Sequence, residues 1–214
     1  MTFVSQSVKY VGMNREEMRR VPARRIRLKK AAVIQPGYFC RGRVRTVPDG
    51  THRLLQARDL RSESGIRPES LVKFIPERDP HLYSVTRDDV LLTAKGQRHR
   101  AHLIRQDLRN VLASSVFYIL RADREILRPG YLAWWLGLPE ARAKLAMRSR
   151  GTGIKYIEKS SLGDMALEVP PLEIQERIEK VVGLREREAS IRTSIETMKD
   201  ELVRATCLGA VKGR

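Results

Sequence analysis

Apolar positions along this chain keep one rhythm up to Val169 and another beyond Pro171. In the first part they come in short runs broken by turn residues. The segment "RRIRLKKAAVI" from Arg24 alternates and predicts a strand or a pair of strands. "HRLLQARDL" and "SLVKFI" predict further short strands, and "VLLTA" (Val90 to Ala94) a buried one. "NVLASSVFYILRA" carries the strongest strand signal, with its β-branched and aromatic content. The segments "QPGYF", "VPDGT" and "SESGIRPES" supply turns. Helices are expected at "NREEMRR", capped by Asn14, and across "REILRPGYLAWWLGLPEARAKLAMRS", where Pro129 opens one helix and Pro139 a second. The loop "SRGTGIKYI", a turn at "EKSSLGD" and a last strand "MALEV" follow. Strands and helices do not alternate as βαβ units. The predicted class is therefore α+β, with a mainly antiparallel sheet.

Pro170 and Pro171 end the last strand, since proline has no N–H to give a ladder and disfavours helix in the residue before it. Pro171 suits a first helical turn, and Glu173 and Glu176 favour its positive end. A heptad frame then runs through Ile174, Arg177, Val181, Leu184, Glu188, Ile191, Ile195, Met198, Leu202 and Ala205, with Ile178 and Val182 widening the stripe. The predicted helix of about 35 residues is about 50 Å long, too long for so small a domain to cover. Its apolar seam calls for another helix, in a partner or a second copy. Arg177 and Glu188 interrupt the seam and suggest a register device. The organisation expected is a globular domain over residues 1–169 and a helical spacer over 170–214.

Charge sharpens this division. Residues 1–165 carry 33 Lys/Arg against 16 Asp/Glu, the whole of the net +17, while residues 166–214 carry nine of each. A basic surface gathers a polyanion by releasing its counterions, and nucleic acid is the commonest such partner. No apolar run has the length of a membrane span, and the first twenty residues lack the order of a signal peptide. Cys40 and Cys207 match no metal spacing. A reduced, cytoplasmic chain without a membrane partner is expected.

Candidate chemistry is sparse. The sequence holds no Walker loop, nucleophile elbow or HExxH, and "RGTGIK" stands after a helix and before a strand, the wrong order for a phosphate cradle. No cofactor or metal is expected. His99 and His102 lack further ligands at zinc spacing, and a turn explains Asp88 and Asp89. Two basic segments suit DNA instead. The first runs from Ala94 and offers Lys95, Gln97, Arg98, His99, Arg100, His102 and Arg105. The second offers Arg148, Arg150, Thr152, Lys155 and Tyr156 around Gly151 and Gly153, where the backbone can approach a ligand closely. Lysine and arginine fix phosphates, while arginine and glutamine pair in bidentate fashion with guanine and adenine edges. Two other classes stay open: a small metal-dependent nuclease using scattered acids such as Asp59, Glu63 and Asp89, and a scaffold whose basic face binds RNA.

In its order of segments the chain resembles the specificity (S) subunit of type I restriction–modification systems. "RRIRLKKAAVIQPGYFCRG" is similar to that family's opening segment. "YSVTRDDVLLTAKGQ" resembles its Gly-Asp, aliphatic strand and glycine element, with Asp88–Asp89 where Gly-Asp is usual. "RGTGIKYIEKSSLGDMALEVPPLEIQERIEKV" is the sharpest match, ending in the proline–leucine–acidic–glutamine entry to a helix. The resemblance implies a protein that does no chemistry. S subunits read double-stranded DNA and dock methyltransferase (M) subunits, joined in restriction by a motor–nuclease (R) subunit. It also implies a departure. The family has two recognition domains and two helical spacers, and this chain has room for one of each. A homodimer joined through Ile174, Ile178, Val181, Leu184, Ile191, Ile195, Met198 and Leu202, reading a split inverted repeat, is the expectation.

Overall fold

The structure is a computed structural model that describes residues 23–42, 44, 46–61 and 66–211. The helix expected at Asn14 and the acid Glu63 lie outside the described residues. The described chain divides into two compact units, Met1–Glu176 and Arg177–Arg214.

The first unit is built on a four-stranded antiparallel sheet of order β2-β8-β5-β6, formed by β2 (Ala32–Pro36), β8 (Phe117–Ala122), β5 (Val90–Thr93) and β6 (Ala101–Leu103). The strand β5 is central, and its Val90, Leu91 and Leu92 are fully buried on both faces. One face of this sheet meets Leu55, Leu71, Val85, Ile104, Val111 and Phe117 in the main core. The helix α1 (Pro129–Gly137) packs on β5, β6 and β8. A second sheet has the order β4-β3-β7, from β4 (Val72–Phe74), β3 (His52–Leu55) and β7 (Val111–Ala113). The β3–β7 pair is parallel, so the expected antiparallel character holds for most of the sheets but not all. Gly37 sits where this sheet meets the first. A Cβ there would lie 2.1 Å from the Ser114 carbonyl oxygen, so the "QPGYF" turn requires glycine for close approach.

Two expectations are corrected in detail. "NVLASSVFYILRA" is two strands, not one. Phe117 N–H donates to the Ser114 carbonyl at 3.0 Å and closes a turn that sends β7 and β8 to different sheets. The run is apolar on both faces, so its periodicity cannot reveal the break. The turn at "EKSSLGD" is a short helix, α3 (Lys159–Gly163). The proline-led helices fall where expected, with α2 spanning Pro139–Arg148.

β1 (Arg24–Arg27) pairs antiparallel with β11 (Ala166–Val169), which brings together the first and last described strands. From there the chain enters α4 (Leu172–Val211), 40 residues and about 60 Å long. Its first turn is locked into the first unit by Gln175, which is fully buried. The Gln175 side chain accepts from Arg128 N–H at 2.8 Å and donates to the carbonyls of Ile126 (3.0 Å) and Pro170 (2.7 Å). Tyr131, from α1, donates its hydroxyl to the Glu168 carbonyl at 2.6 Å, and burial pushes its pKa up to about 12.

Candidate nucleic-acid interface

The two basic segments picked out in the sequence meet in space. The second folds as a small hairpin of β9 (Ser149–Arg150) and β10 (Tyr156–Ile157). The hairpin is stitched to the segment leaving β5. Ile157 N–H donates to the Ala94 carbonyl at 3.0 Å, and Gly96 N–H donates to the Lys155 carbonyl at 2.7 Å. Lys95 and Tyr156 form a bridge between these two hydrogen bonds. Behind the hairpin, the Tyr118 hydroxyl donates to the Ile157 carbonyl at 2.9 Å. Glycine is needed at two turns, because Gly96 has φ +122° and Gly151 φ +104°, the left-handed side that other residues avoid.

His99 joins the segments from within and corrects its expected place among the residues facing DNA. It is only 6% exposed. Its Nδ1–H donates to the Thr93 carbonyl at 2.8 Å, which leaves Nε2 to accept from the Ser149 hydroxyl. Both nitrogens are engaged inside the fold, so the ring acts as a latch between the two segments. His102 is also less available than expected. It pairs within the sheet opposite Leu91, and burial, with Arg100 adding to it, lowers its pKa. Arg148 is half-buried and donates to the Lys144 carbonyl at 3.3 Å.

The remaining residues of the two segments lie on the surface. Lys95, Gln97, Arg98, Arg100, Arg105, Arg150, Thr152 and Lys155 are exposed. Arg150 is tied to Glu158 at 3.2 Å, and Arg105 makes contacts of its own. Such a cluster of cations has the long-range field that draws in a polyanion and the donor geometry that reads base edges. Sequence reasoning missed two exposed apolar neighbours, Met147 (84%) and Ile154 (75%), which no periodic pattern marks.

Of the acids considered for a nuclease, the described ones, Asp59 and Asp89, do structural work. The Asp89 carboxylate is buried, accepts from Thr86 N–H at 2.9 Å and pairs with Arg121 at 3.1 Å. Asp88, at φ +71°, pairs with Arg124 at 2.6 Å, and Asp59 accepts from Gln56 N–H at 2.7 Å. Among the described residues no three His, Cys, Asp or Glu side chains gather into a metal-binding group. Trp135 is buried with Lys144 Nζ 6.0 Å from its ring centroid, and the half-buried Trp134 packs on Tyr131.

In α4 the seam divides by position. Ile174, expected to pair with another helix, is 6% exposed and belongs to the first unit's core. Its place follows from Gln175 beside it, which pins that turn down. Ile178 is half-buried, while Val181, Leu184, Ile191, Ile195, Met198 and Leu202 are exposed by 43–69%. Glu188, the interruption in the seam, pairs with Arg192 at 2.8 Å. No helix among the described residues is long and apolar enough to cross a membrane.

Three solved structures from type I restriction–modification systems share this architecture. The type I restriction–modification S subunit from M. genitalium matches 85% of this chain at 12% identity and a TM-score of 0.59, using 44% of its own length. A structure describing assembly and conformational transition of the type I R-M system matches 92% of the chain at 17% identity and 0.60, over 45% of that chain. The HsdS subunit from Thermoanaerobacter tengcongensis matches 88% at 25% identity and 0.57, over 49% of that chain. No family model and no curated protein matches. The chain therefore has the fold of type I S subunits, as the order of its segments led us to expect. It spans slightly less than half the length of each of these three.

Proposed function

We propose that this chain is a sequence-reading subunit of a type I restriction–modification system. It binds double-stranded DNA through the surface formed by the Lys95–Arg100 segment and the β9–β10 hairpin. It directs a methyltransferase subunit to the target and, in restriction, a motor–nuclease subunit, while performing no catalysis itself. Residues 1–169 serve as the target-recognition domain and 170–214 as the spacer. Two copies pair through the exposed seam from Val181 to Leu202 and together read a split inverted repeat. The chain then acts as a half-subunit in the cytoplasm.

The observation that carries the reading is the junction of two basic segments, far apart in sequence, into one stitched surface on this particular fold. The exposed seam supports the dimer, since six large aliphatic side chains in a helical row have no cover in the described chain. The nuclease alternative loses its motivation because its described acids are engaged and do not converge. The RNA-binding scaffold remains an outcome of the test.

The test is selection of bound duplexes from a random pool, with the methyltransferase subunit present, repeated with Arg98→Ala and Arg100→Ala. A recovered base pattern that relaxes at one position in a variant identifies a base contact, weakened by about 1–3 kcal/mol there. Uniformly lower affinity, with the salt slope reduced by about one, identifies a phosphate contact. Unpatterned recovery by the parent, or preferential capture of RNA, overturns the reading.

A further inference from the structure

We propose that Ile154 is an apolar wedge that presses between base pairs of the bound duplex, so that the hairpin bends DNA as well as gripping it. The inference rests on the reading of this surface as a DNA interface. Between Arg150 and Tyr156 the hairpin carries glycine, threonine, glycine, isoleucine and lysine. Ile154 is the one large apolar residue of that turn, and it is 75% exposed. A solitary exposed aliphatic residue is ordinary on a protein surface. This one stands at the tip of a hairpin that carries Arg150 and Lys155 and is bridged to Lys95, with Tyr156 (41% exposed) beside it.

The tip is braced as a wedge requires. The Ile154 carbonyl lies 2.8 Å from where a Cβ of Gly151 would be, so the turn folds tightly on itself. The neighbouring Lys155 carbonyl is held by Gly96 N–H, and the strands below are held by Ala94 and Tyr118. Ile154 stands clear of its own domain, 75% exposed. Proteins that kink DNA place Phe, Leu, Ile, Met or Pro between base steps while basic groups hold the phosphates on either side, and the hairpin tip provides both components. Unstacking is easiest at pyrimidine–purine steps, so the wedge also adds a sequence preference that needs no hydrogen bond to a base.

The experiment uses the full chain and the duplex recovered by selection, carrying 2-aminopurine at successive positions and a fluorophore pair at its ends. Binding of the parent is expected to raise 2-aminopurine emission at one step and shorten the end-to-end distance. Ile154→Ala is expected to abolish both signals and weaken binding to that duplex by about tenfold, with an unchanged salt slope. Ile154→Leu is expected to restore them. Bending and emission equal to the parent's in Ile154→Ala overturn the wedge, as does a parent that binds its duplex with preference and leaves it straight and stacked. A parent without preference for any duplex overturns the interface reading and the wedge with it. Circular dichroism of each variant separates loss of fold from loss of the wedge.

Discussion

Replacing His99 with alanine removes the side chain that ties the two basic segments together. The Thr93 carbonyl loses the Nδ1–H donor, and the Ser149 hydroxyl loses the imidazole and keeps only the Leu145 carbonyl, at 3.4 Å. Two hydrogen bonds at about 1 kcal/mol each, together with the void left by a buried ring, amount to about 2–4 kcal/mol of stability. A domain with a typical reserve of about 5–15 kcal/mol survives that loss folded. The backbone bonds from Gly96 and Ile157 remain, so the hairpin stays attached, but its Ser149 is no longer tied to Thr93 through a side chain. We expect urea denaturation to show the lower midpoint at unchanged slope. Fluorescence anisotropy should show weakened binding to the preferred duplex and nearly unchanged binding to an unrelated one, because the phosphate-facing cations are intact. His99→Gln, which can keep a donor or an acceptor in place, should recover part of both. Full stability and full discrimination in His99→Ala would refute the claim that this ring couples the segments.

Three further outcomes follow from the same geometry. Gln175→Ala breaks three hydrogen bonds of a fully buried side chain, so it should destabilise the first unit by about 3 kcal/mol in chemical denaturation. Lysine at Ile191 and Ile195 should lower the mass measured by light scattering from a dimer to a monomer, with helicity largely kept. His102 has a lowered pKa in the fold, so as pH falls through about 6.5 the unfolded chain takes up its proton first. Stability should therefore decline below that pH, and His102→Gln should flatten that part of a melting-temperature profile.

Much of the fold is legible because its punctuation is local. Pro129 and Pro139 open helices, and Pro170 and Pro171 stop a strand, through one missing N–H and one fixed φ, wherever the rest of the chain goes. The exposed seam of α4 is legible for a similar reason, since a heptad is a property of a single helix. Partners in a sheet are another matter. Nothing within "NVLASSVFYILRA" tells that its halves join different sheets, one of them parallel to β3. The candidate site shows the same limit. Arginine and lysine announce a basic surface through charge alone, but the latch depends on a histidine and a serine fifty residues apart. A histidine amid basic residues looks like one more contact to DNA until its neighbours in space are known. Ile174 and Ile191 occupy equivalent kinds of heptad site, and only the burial of the adjacent Gln175 separates the anchored turn from the open seam.

The claim at the centre is that two stitched basic segments read sequence in duplex DNA. A competition titration tests it most directly, with the full chain, the duplex recovered by selection, a duplex of the same composition in permuted order, and the matching RNA duplex, all at one physiological salt concentration. The account predicts that the selected duplex binds more tightly than either competitor by a factor of about a thousand or more. Equal affinity for all three would contradict it, leaving the positive charge as a general attraction for polyanions.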